Sequence, residues 1–185
     1  VPAEAGSGPR IGLPRSLGVY GYVPLWRAFF ARLGCRTVLS PRGSEEMLKG
    51  GTAVATAEYC APVILSHGHV KHLVEKEGVD FVFVPYLLRG ENTHGFTDSH
   101  FCCYLQSHPG VLASLQGVDL GERLLAPLVE FGREEKHLVA RLERAIGNKL
   151  GKSREEIRAA WRAGLAAQQA FGEELTPAQV VERIV

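Results

Sequence analysis

The feature that most constrains the fold is a run of apolar residues in the middle of the chain, VDFVFVP at 79–85. A strand with consecutive apolar positions is typical of a parallel sheet that is covered on both faces. Before this run, residues 11–14 are predicted as a strand, residues 24–34 as a helix and CRTVLS at 35–40 as the next strand. This order predicts a βαβ unit, the building block of parallel sheets.

The remaining segments extend the same alternation. SEEMLKGG is predicted as a short helix that is capped by Ser44 and ended by its glycines, and 62–77 as a longer helix that ends at Gly78. A polar loop, YLLRGENTHGFTDSH, follows the apolar strand. FCCYLQ is then predicted as a strand, 109–115 as a short helix and RLLAPLVEF as a fifth strand. We therefore predict an α/β fold with a doubly wound, mainly parallel, Rossmann-like sheet of four to five strands.

The chain divides into three predicted regions. Residues 1–9 form a loose leader rich in Gly, Pro and Ala, residues 10–132 the α/β domain, and residues 133–185 a C-terminal helical segment. In that segment we predict a charged helix at 133–150, a second helix from Ser153, with Glu156 in capping-box spacing, to about 171, and a last one from Thr176-Pro177. We expect the segment to lead into a second α/β half that this chain does not include.

Composition excludes several classes of function. The net charge of +1 gives no strong attraction to nucleic acid or to a membrane surface, and the apolar runs are far too short to span a bilayer. Four cysteines in 185 residues do not resemble a disulfide scaffold. We therefore expect a protein of the reducing cytoplasm with no nucleic-acid or membrane partner.

Cys60 is the first candidate for chemistry, because it lies just before Pro62 at the predicted start of a helix. The backbone N–H groups and the dipole at a helix start favour a thiolate, which can act as a nucleophile, a redox centre or a metal ligand. The alternative is a small buried side chain, a common role for free cysteine and the one that we expect for Cys35. Position alone leaves both readings of Cys60 open.

The His67-Gly68-His69 motif argues against a histidine metal site. Residues two apart on a helix point to nearly opposite sides, so the two imidazoles cannot share a metal unless the helix breaks at Gly68. We expect Gly68 to let the helix approach the sheet closely, and both histidines to hydrogen-bond to neighbouring loops. With Arg15 and Arg89, which follow predicted strands, they are candidates to line a site.

Cys102 and Cys103 are adjacent on a predicted strand, so they should face opposite sides and only one of them can face a given site. Their spacing from Cys60 is not a zinc or ferredoxin signature. The sequence also lacks the glycine pattern of a dinucleotide-binding turn and a phosphate-binding loop of the Walker type.

The order of motifs resembles the CoA-enzyme-activase-related domain, which is akin to subunits of 2-hydroxyacyl-CoA dehydratases. The resemblance covers nearly the whole chain and rests on these segments: IGLPRSLGVYGYVPLWRAFFARLGCRTVLS, CAPVILSHGHVKHLVEKEGVDFVFVP, HFCCYLQSHPGVL and the tail LGKSREEIRAAWRAGLAAQQAF. The first two are fairly specific, with the Cys-x-Pro-x-x-x-x-His-Gly-His block in the second, and the tail is generic.

The resemblance implies a function. In the dehydratase relatives three cysteines hold a [4Fe–4S] cluster that receives an electron from an ATP-dependent activator, and two of them correspond to Cys60 and Cys102, with Cys103 a weaker candidate. The chain would then be the N-terminal part of a dehydratase-like lyase or an electron-transfer component. Its implied partners are an ATP-dependent activase domain or subunit and an acyl-CoA substrate.

Departures from the family pattern limit this implication. Ala61 and Ile64 replace an aromatic residue and a lysine, Cys103 replaces a proline, and the second half that would bring a third ligand is not included. We therefore expect the isolated chain to be inactive and to lack an intact cluster. Two alternatives stay open: an interaction domain with structural cysteines that docks an activase or another subunit, and a thiol enzyme that pairs Cys60 with His67 or His69.

Overall fold

The computed structural model describes residues 7–90 and 99–174 of the chain. In chain order the elements are β1 (Arg10–Leu13), α1 (Leu17–Gly21), α2 (Val23–Arg32), β2 (Arg36–Leu39), α3 (Glu45–Val54), α4 (Ala61–Glu75), β3 (Phe81–Phe83), β4 (Tyr86–Arg89), α5 (Cys103–Leu112), β5 (Leu124–Leu125), β6 (Leu128–Glu130), α6 (Glu135–Leu142), α7 (Asn148–Leu150) and α8 (Arg154–Glu174). None of these helices is long and apolar enough to cross a membrane.

Four parallel strands form the main sheet, in the order β2-β1-β3-β5. Strand β1 lies in the middle, where Ile11 pairs with Thr37 on one side and with Phe81 on the other. The predicted α/β fold with a mainly parallel sheet is confirmed, and its topology fits a Rossmann-like fold.

The sheet narrows from four strands to two. Strands β4 and β6 form a parallel pair that continues β3 and β5, and Val84 N still donates to Leu125 O at 3.0 Å and Tyr86 N to Pro127 O at 2.9 Å across the break. Pro85 and Pro127 have no N–H to donate, so the ladder is interrupted at the same level in both strands.

Both faces of the sheet are covered. Phe83 packs into a cluster with Trp26, Phe29 and Phe30 of α2, which also contains residues of α6 and α8. Val82 belongs to the opposite cluster, with residues of α4 and α5. The alternation at neighbouring positions of β3 confirms that the apolar run is buried on both sides, as the sequence predicted.

Helices α3 and α4 cross at two glycines. A Cβ atom on Gly68 would lie 2.0 Å from Met47 O, and one on Gly51 would lie 2.0 Å from Ile64 O. The expectation that Gly68 brings α4 close to the sheet is therefore wrong, because its neighbour is the backbone of α3. The glycines of SEEMLKGG do not end α3 either, since the helix continues to Val54 after the predicted Ser44 cap, whose Oγ accepts from Met47 N.

The C-terminal helices pack onto the first half of the chain. Ser153 N donates to Glu156 Oε2 at 2.9 Å and Glu156 N donates to Ser153 Oγ at 3.3 Å, so the predicted capping box is confirmed. Helix α8 lies along α2, with Trp161 6.0 Å from Trp26 between ring centroids. The helix predicted at 133–150 is divided by a π-helical turn between α6 and α7. The one predicted at Thr176-Pro177 lies outside the described residues.

The strand predicted at FCCYLQ is wrong, because Cys102 caps helix α5 and Cys103 is the first residue of that helix. Pairing with β4 ends before the helix: Phe101 N, at the first position of the predicted strand, donates to Leu88 O at 3.0 Å, and His100 forms an isolated antiparallel bridge with Arg89. The apolar composition that indicated a strand reflects burial against β4. The helix predicted at 109–115 begins earlier, and Pro109 lies within it.

Candidate functional site at two helix starts

Cys60 and Cys102 occupy equivalent positions at the starts of α4 and α5. Cys60 is the N-cap of α4 with φ −63° and ψ 151°, and Cys102 is the N-cap of α5 with φ −61° and ψ 155°. Each cysteine carbonyl accepts two hydrogen bonds from the first turn, from Val63 N and Ile64 N at α4 and from Leu105 N and Gln106 N at α5. The two helix starts thus have the same backbone structure.

The thiols at these starts are free and exposed. No side chain caps either helix, so neither cysteine competes with a polar side chain for the N–H groups of the first turn. The reading of Cys60 as a small buried side chain is therefore wrong, whereas it is correct for Cys35, which is buried before β2 and whose thiol pKa is raised by burial.

Two tyrosines join the helix starts. Tyr59 precedes Cys60 and Tyr104 follows Cys103, and their rings meet edge to face with centroids 5.8 Å apart. This contact brings the sequence neighbours of Cys60 and Cys102 together, although 42 positions (102 − 60) separate the two cysteines. The starts of two different helices therefore lie side by side.

Cys103 has a different environment from the one expected. It was predicted to face away from Cys102 because adjacent residues on a strand point to opposite sides. On a helix, adjacent residues are rotated by only about 100°. Cys103 is also exposed, so both neighbouring thiols are accessible at the start of α5.

Three histidines lie behind these starts, and all are buried: His67 and His69 on α4, and His108 on α5. His69 Nδ1 lies 2.9 Å from Ser40 Oγ, as expected for a contact with a neighbouring loop. The same expectation for His67 is wrong, since neither of its ring nitrogens has a partner among the described residues.

Burial keeps these imidazoles neutral at neutral pH. It lowers the pKa of His67, and it lowers the pKa of His69 to about 4, with His72 and Arg15 adding to the effect. The pKa of His108 is also lowered to about 4, by burial first and by the neighbouring His67 second.

Sequence reasoning missed His108, because residue 108 fell between a predicted strand and a predicted helix. A usable signal was present: His108 follows Cys102 by six residues, much as His67 follows Cys60 by seven. In the structure the two imidazoles stack, with ring centroids 6.3 Å apart and planes 12° from parallel.

The two predicted arginines have local partners. Arg15 N donates to Ser40 Oγ at 2.7 Å, Arg15 Nε donates to Ser40 O at 3.1 Å, and the guanidinium lies over the ring of Tyr20. Arg89 Nε donates to His100 Nε2 at 2.7 Å. Arg15 thus fixes the loop after β1 to the end of β2, and Arg89 fixes the end of β4 to the segment before α5.

Within residues 7–90 and 99–174, no group of three or more Cys, His, Asp or Glu side chains is arranged to hold a metal ion. The described residues therefore offer two matched cysteine positions and the neighbouring Cys103, but no complete metal centre.

Comparison with known proteins gives one result. A search of curated proteins and a search of solved structures each found no match. The model of a family described as CoA enzyme activase uncharacterised domain (DUF2229) matches residues 10–183, nearly the whole chain. The chain therefore belongs to the CoA enzyme activase uncharacterised domain family.

Proposed function

We propose that Cys60 and Cys102 are ligands of a [4Fe–4S] cluster that accepts an electron from an ATP-dependent activator. The observation that supports this is the pair of equivalent helix starts, each with a free, exposed cysteine as its N-cap. The Tyr59–Tyr104 contact holds these starts side by side.

The donor set fits such a cluster in part. Cysteine thiolates are the usual cluster ligands, and a thiolate-bound cluster is anionic. The positive ends of two helix dipoles and the uncapped N–H groups of the first turns favour negative charge at this place. Two cysteines are fewer than a [4Fe–4S] cluster needs, so we expect the remaining ligands from a further segment or subunit.

Each residue has a defined part in this proposal. Cys60 and Cys102 bind the cluster, which when bound supplies one-electron transfer, while Tyr59 and Tyr104 hold the ligand-bearing turns together. Cys103 is the reserve ligand, because it is exposed one position further on. The isolated chain would then be inactive, and the complete protein would work as a dehydratase-like lyase on an acyl-CoA or as an electron-transfer component in the cytoplasm.

Iron and acid-labile sulfide content test the proposal. After anaerobic reconstitution of the full-length protein, we expect Cys60→Ala and Cys102→Ala each to lose most of the iron and acid-labile sulfide, because each lacks one cysteine ligand of the cluster. Cys35→Ala is the matched control, because Cys35 is buried away from the helix starts. Cys103→Ala should retain the cluster if Cys103 is only a reserve.

Unchanged iron in both Cys60→Ala and Cys102→Ala would contradict the proposal. The remaining candidate would be an interaction domain that docks an activase or another subunit. Retention of partner binding in a Cys60→Ala/Cys102→Ala double variant that carries no iron would support that reading.

A further inference from the structure

The proposed function makes no use of two buried imidazoles, His67 on α4 and His108 on α5. Their exposed fractions are 0% and 3%, and within the described residues three of their four ring nitrogens are buried without a hydrogen-bond partner: Nδ1 and Nε2 of His67, and Nε2 of His108. Buried polar atoms are nearly always paired, because an unpaired one loses its hydration without compensation. The pair therefore calls for a role other than packing.

A continuous column of rings connects this pair to the cysteine-bearing turns. Tyr104 contacts Tyr59, Tyr59 meets His67 edge to face with centroids 5.4 Å apart, and His67 stacks on His108. Because His67 and His108 follow Cys60 and Cys102 by seven and six residues, they lie about 10 Å deeper along their helices. Charge at the exposed helix starts and charge on the buried imidazoles are thus close enough to interact, although solvent at the thiols weakens the interaction.

A small cavity, lined mostly by apolar residues, opens beside His108. Ser16, Ser66 and His108 line it, and the hydroxyl of Ser16 donates to that of Ser66 at 2.9 Å. Its volume of about 10 Å³ is at the lower limit for one water molecule. The cavity thus brings two hydroxyl groups into the neighbourhood of His108.

No carboxylate of the described residues acts on His67 or His108 to stabilise a positive charge there. Burial alone lowers the pKa of His67, and burial and His67 lower that of His108, so no carboxylate of the described chain contributes to either shift. Tyr59 and Tyr104 face the pair from the helix starts. On the far side, Arg15 and His72 act on His69, whose ring is held by Ser40.

We propose that His67 and His108 form an internal proton acceptor, whose affinity for one proton rises when negative charge is added at Cys60 and Cys102. Under the proposed function, on which this proposal rests, one electron from the activator would add one negative charge to the centre held by Cys60 and Cys102. One imidazole nitrogen then binds a proton from a solvent hydronium ion more strongly, and this partial uptake offsets part of the added charge. The pair accepts one proton and not two, because two stacked imidazolium rings repel.

Charged side chains introduced at positions 60 and 102 test, without any metal, whether charge there changes the proton affinity of the two histidines. Asp and Asn are equally good N-caps, so Cys60→Asp/Cys102→Asp and Cys60→Asn/Cys102→Asn differ mainly by two negative charges. In NMR titrations of the histidine rings, we expect the titration midpoints of the pair to be higher in the Asp form by about half a pH unit or more. His69 should move less, and the ring signals of the exposed His137 on α6 should be the same in both forms.

Equal midpoints in the two variants, or a displacement of His69 as large as that of the pair, would overturn the proposal. If a variant does not fold, the native thiols give the same comparison in a Cys103→Ser background, because Cys35 is buried. Iodoacetate then adds a charged group to Cys60 and Cys102, and iodoacetamide adds a neutral one of similar size.

The outcome is separable from that of the reconstitution. A displaced midpoint without any iron would retain the proton acceptor and remove the cluster. Bound iron with equal midpoints would support the cluster and overturn the proton acceptor.

Discussion

The starts of α4 and α5 have the same backbone geometry but very different sequences. After Cys60, a proline at the second helical position indicates the start of α4. Cys102 is instead followed by Cys103 and Tyr104, and the proline of α5, Pro109, lies inside the helix. Local sequence preferences determine where α4 begins. The α5 start depends on tertiary contacts, since the residues before it pair with β4 and Tyr104 rests on Tyr59.

The two helices also differ in how tightly they are held. Gly68 places the backbone of α4 directly on that of α3, with no room for a single added carbon. Gly110 of α5 is exposed, and a Cβ there would come no closer than 3.9 Å to another atom, Tyr86 Oη. We infer that α4 is the fixed side of the candidate site and α5 the adjustable side.

Acid should disrupt both helices together, and this is the largest expected effect. The folded chain keeps His67, His69 and His108 neutral, whereas the unfolded chain protonates them near the ordinary histidine pKa of about 6.5. Because the unfolded state binds more protons, stability is complete above that pH and falls as the pH decreases toward about 4. We expect a loss of several kcal/mol, measured by urea unfolding at successive pH values.

A flat stability profile between pH 7 and pH 5 would contradict this prediction. Carboxylates with lowered pKa values, such as Glu130 beside Arg141, lose their contribution only at lower pH, so the two effects occur in different windows. His137→Gln serves as the control, because His137 is exposed and its removal should leave the profile unchanged.

A methyl group should distinguish the fixed helix from the adjustable one. Gly68→Ala places a carbon 2.0 Å from Met47 O and should destabilise the fold by about 3 kcal/mol. Gly110→Ala has room and should be neutral or stabilising by up to about 1 kcal/mol, because alanine favours the helix. Thermal unfolding of the two variants measures the contrast.

The adjacent pair in α3 provides a matched control. Gly50→Ala meets nothing closer than Lys71 Cδ at 3.9 Å, whereas Gly51→Ala meets Ile64 O at 2.0 Å. Only Gly51→Ala should lower the free energy of unfolding. Equal stabilities of Gly68→Ala and Gly110→Ala would show that the close crossing does not hold α4 in place.

Much of the fold could be predicted from the sequence because it is carried by local signals. The consecutive apolar positions of β3, the Ser44 cap and the Ser153–Glu156 capping box all use rules that operate within a few residues. The start of α5, the crossing partner of Gly68 and the burial of His108 could not be predicted, since each depends on a neighbour distant in the chain. Cys60 was correctly predicted at a helix start, because local signals mark that helix. Cys102 was predicted on a strand, because the start of α5 depends on distant neighbours.

Replacing the N-cap cysteines by a better N-cap residue should give the smallest change in stability. The change should differ between the starts of α4 and α5. Asn at an N-cap accepts a hydrogen bond from the N–H of the second or third helical residue. At α5 both N–H groups exist, on Tyr104 and Leu105, whereas at α4 the second position is Pro62, which has none. We expect Cys102→Asn to stabilise by about 1 kcal/mol and Cys60→Asn by less, in chemical unfolding at neutral pH. A larger gain at Cys60 would show that the starts are not equivalent in solution.

The edge-to-face contact of Tyr59 with Tyr104 has a consequence for what the two thiols can hold. Backbone ladders fix strand spacing through many directional bonds, but a pair of rings contributes only about 1 kcal/mol and has a shallow minimum. Side chains therefore contribute to the gap between the two cysteine-bearing turns, together with the main-chain bond from Phe101 N to Leu88 O before α5. A ring contact of this kind allows small displacements of the two tyrosine side chains at little energetic cost.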